Sequence, residues 1–166
     1  SNLNTLFATS WDDGSELWAI EDAISTDDVR ATSFEPVVET GELYLGDTSG
    51  KVYKINSETA ETQEVATLNR EIQRLSYDSN DRLFAVLAQE SEDTDEDENQ
   101  SSRGRTNKEF SVVCVDDRDV EWEVGIGESS NDIPSLLVAD GSVVVIDTEG
   151  VLRAFDAETG AEQWVI

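Results

Sequence analysis

The sequence predicts an all-β chain assembled from copies of one four-stranded antiparallel unit. Three observations predict it. Residues 41–60, GELYLGDTSGKVYKINSETA, align without a gap on residues 141–160, GSVVVIDTEGVLRAFDAETG. A divergent copy lies between them, so that copies recur about every 40 residues, the size of one β-propeller blade. The apolar runs are short and β-branched, and Gly, Asp, Asn and Thr punctuate them, which is the pattern of strands and turns. Together these predict β-propeller blades, about three and a partial one, spanning residues 1–166.

Taken in order, the first copy (1–20) is partial. Ala8–Trp18 repeats the spacing of Ala154–Trp164, so only a third and a fourth strand are expected. The second copy (21–68) carries Leu43, Leu45, Val52 and Ile55 where the last carries Val143, Val145, Leu152 and Phe155. In the third (69–125), Asp81–Val86 falls at the second-strand position and Phe110–Asp116 at the third. Between them lies an excess over 89–108 that is almost without apolar residues, read as a disordered acidic insertion. The fourth copy (126–166) has a strand over Val143–Ile146, expected to be buried on both faces, and a turn at Asp147–Gly150. Gly125-Ile126-Gly127 lacks the third glycine of a dinucleotide loop and reads as an inter-blade connection. A chain running from a third strand to a fourth supplies no complete closing blade. An arc of a larger propeller, or a chain that pairs with another, is therefore expected, and open sheet edges invite association.

The segment Ala154-Phe155-Asp156-Ala157-Glu158-Thr159-Gly160-Ala161-Glu162-Gln163-Trp164 resembles the tryptophan-docking motif of PQQ-like (quinoprotein-type) repeats, A-x-D-x-x-T-G-x-x-x-W, at every fixed position. The resemblance implies that Trp164 packs against a neighbouring blade while Asp156 and Thr159 brace the turn before Gly160. Trp18 and Trp122 are its counterparts in the first and third copies, and burial of large indoles between sheets suits all three. The second copy departs from the motif, with Asn56 for the Asp, Ala60 for the Gly and Glu64 for the Trp. In the third copy the turn before Trp122 is two residues shorter. Quinoprotein dehydrogenases share this repeat and hold PQQ with a cation, a catalytic carboxylate and commonly a disulfide of adjacent cysteines. This chain has one Cys and no assignable metal-and-base cluster, so no catalytic residue and no cofactor is expected.

Composition narrows the partners. Asp and Glu number 38 against 11 Lys and Arg, with no His, for a net charge of -27. Such a surface repels phosphate backbones and anionic lipid, so neither nucleic acid nor direct membrane contact is expected. Without His, a histidine general base is excluded within the chain. Carboxylates are spread through every segment, and Lys occurs only at Lys51, Lys54 and Lys108, which resembles haloarchaeal proteins. Solvent cations would then screen the surface, because the Debye length falls to about 3 Å at 1 M salt. Carboxylate pairs such as Asp12-Asp13 read as solvated surface. Cys114, inside the apolar run Ser111–Val115, reads as a small buried hydrophobe. No apolar stretch reaches the roughly 18 residues a spanning helix needs. Within the insertion, Asp93, Asp95, Asp97 and Asn99 alternate like the start of a calcium loop. Glu98 occupies its glycine position and Gly104 its bidentate-glutamate position, so a solvated loop is the preferred reading.

The function expected is a non-catalytic platform for protein–protein binding or assembly, its partner a protein or further propeller blades. A fragment of a PQQ-dependent dehydrogenase, or an extracellular structural or adhesive element of an envelope or virus, are the alternatives. Resemblance to exported proteins slightly favours a cell-surface site.

Overall fold

The structure is a computed structural model describing residues 5–20, 30–37, 40–78, 80, 82–91, 107–116, 118–129 and 132–166. Its strands are β1 (Leu6–Thr9), β2 (Glu16–Ile20), β3 (Ala31–Val37), β4 (Glu42–Asp47), β5 (Lys51–Asn56), β6 (Thr62–Thr67), β7 (Glu71–Tyr77), β8 (Leu83–Glu90), β9 (Lys108–Asp116), β10 (Asp119–Ser129), β11 (Ser135–Ala139), β12 (Ser142–Ile146), β13 (Leu152–Asp156) and β14 (Glu162–Val165). They form a two-stranded sheet, β1-β2, and three four-stranded antiparallel meanders, β3 to β6, β7 to β10 and β11 to β14. The described residues include no helix. The first strands sit closest together, β3 against β7 and β7 against β11.

Each meander is too thin to bury apolar side chains by itself, so the cores lie between sheets. Leu6 and Ile20 pack on Leu45 and Ile55 between the first and second sheets. Tyr44, Val52, Ala66 and Leu68 of the second meet Ile72, Leu75, Ala85 and Val113 of the third. Phe84, Val86, Phe110 and Val112 of the third meet Val143, Val145, Phe155 and Ala157 of the fourth. Side chains alternate across a pleated strand. Leu83, Ala85 and Leu87 of β8 therefore face one core, and Phe84, Val86 and Ala88 the other. Full burial of each Val, Leu or Phe stabilises by about 1.5–3 kcal/mol.

Three expectations change here. The strand over Val143–Ile146 is covered on one face only: Val143 and Val145 are fully buried, whereas Ile146 is 46% exposed. A strand is buried on both faces only when a sheet lies on each side, and β12 has one such neighbour among the described residues. Gly125-Ile126-Gly127 is not a loop but part of β10, where the register shifts between Gly125 and Gly127 and Ile126 is buried. This bulge lets the strand bend without breaking its pairing. The ends of the acidic insertion are paired strand, Gln89 opposite Glu109 and Glu90 opposite Lys108. Asp93, Asp95, Asp97 and Asn99 lie outside the described residues.

Candidate functional site: the seams between sheets

Two kinds of turn organise the second and fourth sheets, each built on an Asp or Asn side chain. In the β4–β5 turn, Asp47 Oδ1 accepts hydrogen bonds from Ser49 N at 2.8 Å and Lys51 N at 2.9 Å. Asp147 Oδ1 repeats this with Glu149 N and Val151 N, both at 2.9 Å. The two copies differ at the second oxygen. Arg153 Nε donates to Asp147 Oδ2 at 2.9 Å. Burial pushes the Asp147 carboxyl up, but Arg153 and the two amides outweigh it and hold it below the ordinary range. Tyr53 stands where Arg153 does, and Asp47 Oδ2 is buried with no hydrogen-bond partner among the described residues.

The second turn precedes the last strand of each of these two sheets. Asp156 Oδ1 accepts from Glu158 N at 3.1 Å, Thr159 N at 2.9 Å and Thr159 Oγ1 at 2.9 Å. Asn56 Oδ1 receives Glu58 N and Thr59 N, each at 2.9 Å. Gly160 (φ +69°) and Ala60 (φ +61°) close these turns in the left-handed region.

Each of these turns receives an indole from the preceding sheet. Trp18 Nε1 donates to the Ser57 carbonyl at 2.5 Å, and Trp122 Nε1 to the Ala157 carbonyl at 3.2 Å. The Trp122 ring lies over Gly160 so closely that a Cβ there would sit 2.8 Å from its Cδ2. Phe84 flanks the ring at 6.0 Å. Arg82 Nη1 also donates to the Ala157 carbonyl, at 3.1 Å, while its other nitrogens hold Asp78.

The seam between the second and third sheets is built differently. Glu64 stands in the tryptophan position, and the turn it faces is the shortened one at Asp116–Asp119. Glu64 and Arg118 line one small pocket. Lys51, donating to Glu64, holds its carboxyl below the ordinary range; Thr67 and, more weakly, Arg118 add to this. The missing Trp and the missing turn residues thus belong to one seam, a pairing the sequence reading did not make. Nor did it find Arg82 or the Ser57 and Ala157 carbonyls. Periodicity carries no signal for them.

Beside the Trp122 seam an open cleft of about 580 Å³ is lined by Asn80, Arg82, Asp116, Glu121, Asp156 and Glu158. Cys114 forms part of its wall, where burial pushes the thiol up to about 11. Trp164 occupies the docking position of the fourth sheet, yet it is 40% exposed and has no acceptor among the described residues. Elsewhere on this sheet and at its end, Leu137, Val165 and Ile166 are also exposed. Among the described residues no three His, Cys, Asp or Glu side chains come together to hold a metal ion. No helix there is long and apolar enough to cross a membrane.

Consecutive sheets stacked face to face with indoles across their seams are the layout of a propeller, and solved structures share it. Over 98% of this chain and 41% of the other, it is similar to Sqt1 of Saccharomyces cerevisiae (TM-score 0.68, 17% identity). The chain is an arc of a β-propeller. BamB from Moraxella catarrhalis is similar over all of this chain and 44% of its own (TM-score 0.54, 17% identity). An acylaminoacyl peptidase of Pyrococcus horikoshii is similar over 96% of this chain and 27% of its own (TM-score 0.61, 15% identity). The arc thus spans less than half the length of each of these three. Residues 105–165 match a family model described as outer membrane protein assembly factor BamB, which supports a PQQ-like repeat in this part of the chain. No curated protein matches the sequence.

Proposed function

We propose that the chain is a non-catalytic propeller platform for protein binding or assembly, with a surface adapted to concentrated salt. The observation that carries this reading is the uncovered face of the fourth sheet. Leu137 is 61% exposed, Ile146 46%, Trp164 40% and Ile166 83%. Contiguous exposed apolar side chains on an otherwise charged protein are a surface for a protein partner or a further propeller blade. The match to an assembly-factor model over 105–165 lends support, since that stretch includes this sheet. The charge of -27 favours contacts made in high salt, where repulsion between acidic surfaces is screened.

The test is cross-linking with mass spectrometry in about 2 M KCl. Partner cross-links should cluster on β12 and β14 and disappear in Trp164→Glu. Cross-links indifferent to that substitution would sink the reading. So would alcohol oxidation on addition of PQQ and calcium, which belongs to the dehydrogenase alternative.

A further inference from the structure

Trp18 fills the first seam and Trp122 the last, while the seam between the second and third sheets seats no indole among the described residues. The space there is open. An inner seat of about 270 Å³ has Tyr44, Val65, Tyr77, Leu83 and Val115 in its walls. The Tyr44 and Tyr77 rings stack, with centroids 5.0 Å apart and planes inclined by 19°. An outer seat of about 170 Å³ lies beside Glu64 and Thr67. Val65, Ala66 and Arg118 line both seats, so the two join into one groove. A further propeller blade would stack on an outer sheet, not between two sheets that already share a core.

The inner seat corresponds to the place of a docked ring. Tyr44 on β4 is the counterpart of Phe84 on β8, and Phe84 flanks Trp122. The position that would supply the ring in this seam holds Glu64, whose carboxylate is turned to Lys51 at 2.9 Å and Thr67 at 3.0 Å.

The charge of the groove is the reverse of the chain's. Asp and Glu number 38 against 11 Lys and Arg, yet no carboxylate lines the inner seat, whereas Lys54 and Arg118 do. Lys54 is engaged with Glu42. Arg118 makes no ion pair with a described side chain. Arg118 also has φ +81°, a conformation that suits Gly and disfavours other L-residues. Strained backbone of this kind concentrates where ligands are clamped. Each seat is smaller than the roughly 300–1,000 Å³ of a small-molecule pocket, so successive side chains of a polypeptide suit them better.

We propose that this groove docks a segment of another protein carrying an aromatic side chain next to an acidic one. The ring enters the inner seat against Tyr44 and Tyr77, among apolar walls that favour it. The carboxylate pairs with Arg118 where the two seats meet, a charge-assisted contact that a guanidinium can make with two bonds. The groove is a separate surface from the uncovered fourth sheet, and it would give the chain selectivity for side-chain chemistry.

The test titrates the isotope-labelled full chain in about 1 M KCl with capped peptides, following backbone amide shifts by NMR. The probes are acetyl-Gly-Ser-Trp-Glu-Ser-Gly-amide, the same peptide with Gln for Glu, and the same with Ala for Trp. The Trp-Glu peptide should shift Val65, Ala66, Tyr77 and Arg118 and bind at least about tenfold more tightly than the other two. Arg118→Gly should fold at least as stably in urea, since Gly suits the left-handed backbone, yet lose the preference for Glu over Gln. Arg118→Gln, which keeps a side chain of similar length, should lose the same preference. No shifts at these residues with millimolar peptide would overturn the proposal, as would equal binding of the three peptides. Arginine variants that retain the preference would also overturn it. Indolepropionate binding as tightly as the Trp-Glu peptide would assign the groove to a free aromatic acid instead of a protein. The readout lies in the second and third sheets, so its failure leaves the cross-linking result on β12 and β14 standing.

Discussion

Gly160→Ala probes the Trp122 seam directly. The glycine is buried with φ +69°, and a Cβ would lie 2.8 Å from Cδ2, 2.9 Å from Cε3 and 3.0 Å from Cγ of the indole. An L-residue in that conformation costs about 1–2 kcal/mol. The ring is held by its bond to the Ala157 carbonyl and by Phe84, so relieving the collision adds roughly 1–3 kcal/mol of overpacking. Reduced freedom of the unfolded chain returns about 0.4–1 kcal/mol. The net loss is about 2–4 kcal/mol, which lowers Tm by roughly 5–15 °C in a protein of this size. Ala60 is an internal control, holding the equivalent position at φ +61°. Ala60→Gly should leave stability unchanged or raise it by up to about 1 kcal/mol. Urea and thermal unfolding in molar KCl, followed by tryptophan fluorescence, measure both. A Gly160→Ala protein within about 0.5 kcal/mol of the parent would refute a docked indole at this turn.

Trp122→Phe removes the indole donor, but Arg82 still satisfies the Ala157 carbonyl, so urea unfolding should show a loss near 1 kcal/mol rather than the penalty of an orphaned group. Asp147→Asn weakens the bond to Arg153 and should cost about 1.5–3 kcal/mol at neutral pH. Because the Asp147 carboxyl titrates below its unfolded value, its contribution is complete above about pH 4 and is lost as pH falls through the folded value. Acid unfolding of the variant in molar salt should therefore depend less on pH in that window. Cys114 should resist thiol reagents until the chain unfolds, since burial raises it from 9.0 to about 11. The neutral thiol is favoured by the fold, so its contribution is present below pH 9 and fades as pH climbs toward that raised value. Equal labelling rates for native and unfolded protein would contradict this.

Much of the fold was legible because its signals are local. Val143-Val144-Val145-Ile146 and the Asp147-Thr148-Glu149-Gly150 turn announce a hairpin through neighbouring side chains and amides alone. The Asp156–Gly160 turn is equally self-contained, its carboxylate bonding amides two and three residues ahead. Leu83–Leu87 and Val143–Ile146 look alike as apolar runs, yet only the first is sheathed on both sides. That difference depends on sheets remote in sequence. The link between Glu64 and Arg118 was hidden for the same reason, because the two positions belong to different copies and each reads alone as a lapse from the motif.

The sequence by itself determined strand and turn, the repeat, and the acidic surface, since backbone hydrogen bonding, side-chain alternation and net charge are properties of nearby residues or of composition. Tertiary structure alone decided which indole meets which carbonyl, which seam does without one, and which apolar face remains open. Trp18 reaches an acceptor 39 residues away and Trp122 one 35 residues away. Contacts over such separations form only when whole sheets stack, so they are written in the arrangement of the copies rather than in any one of them.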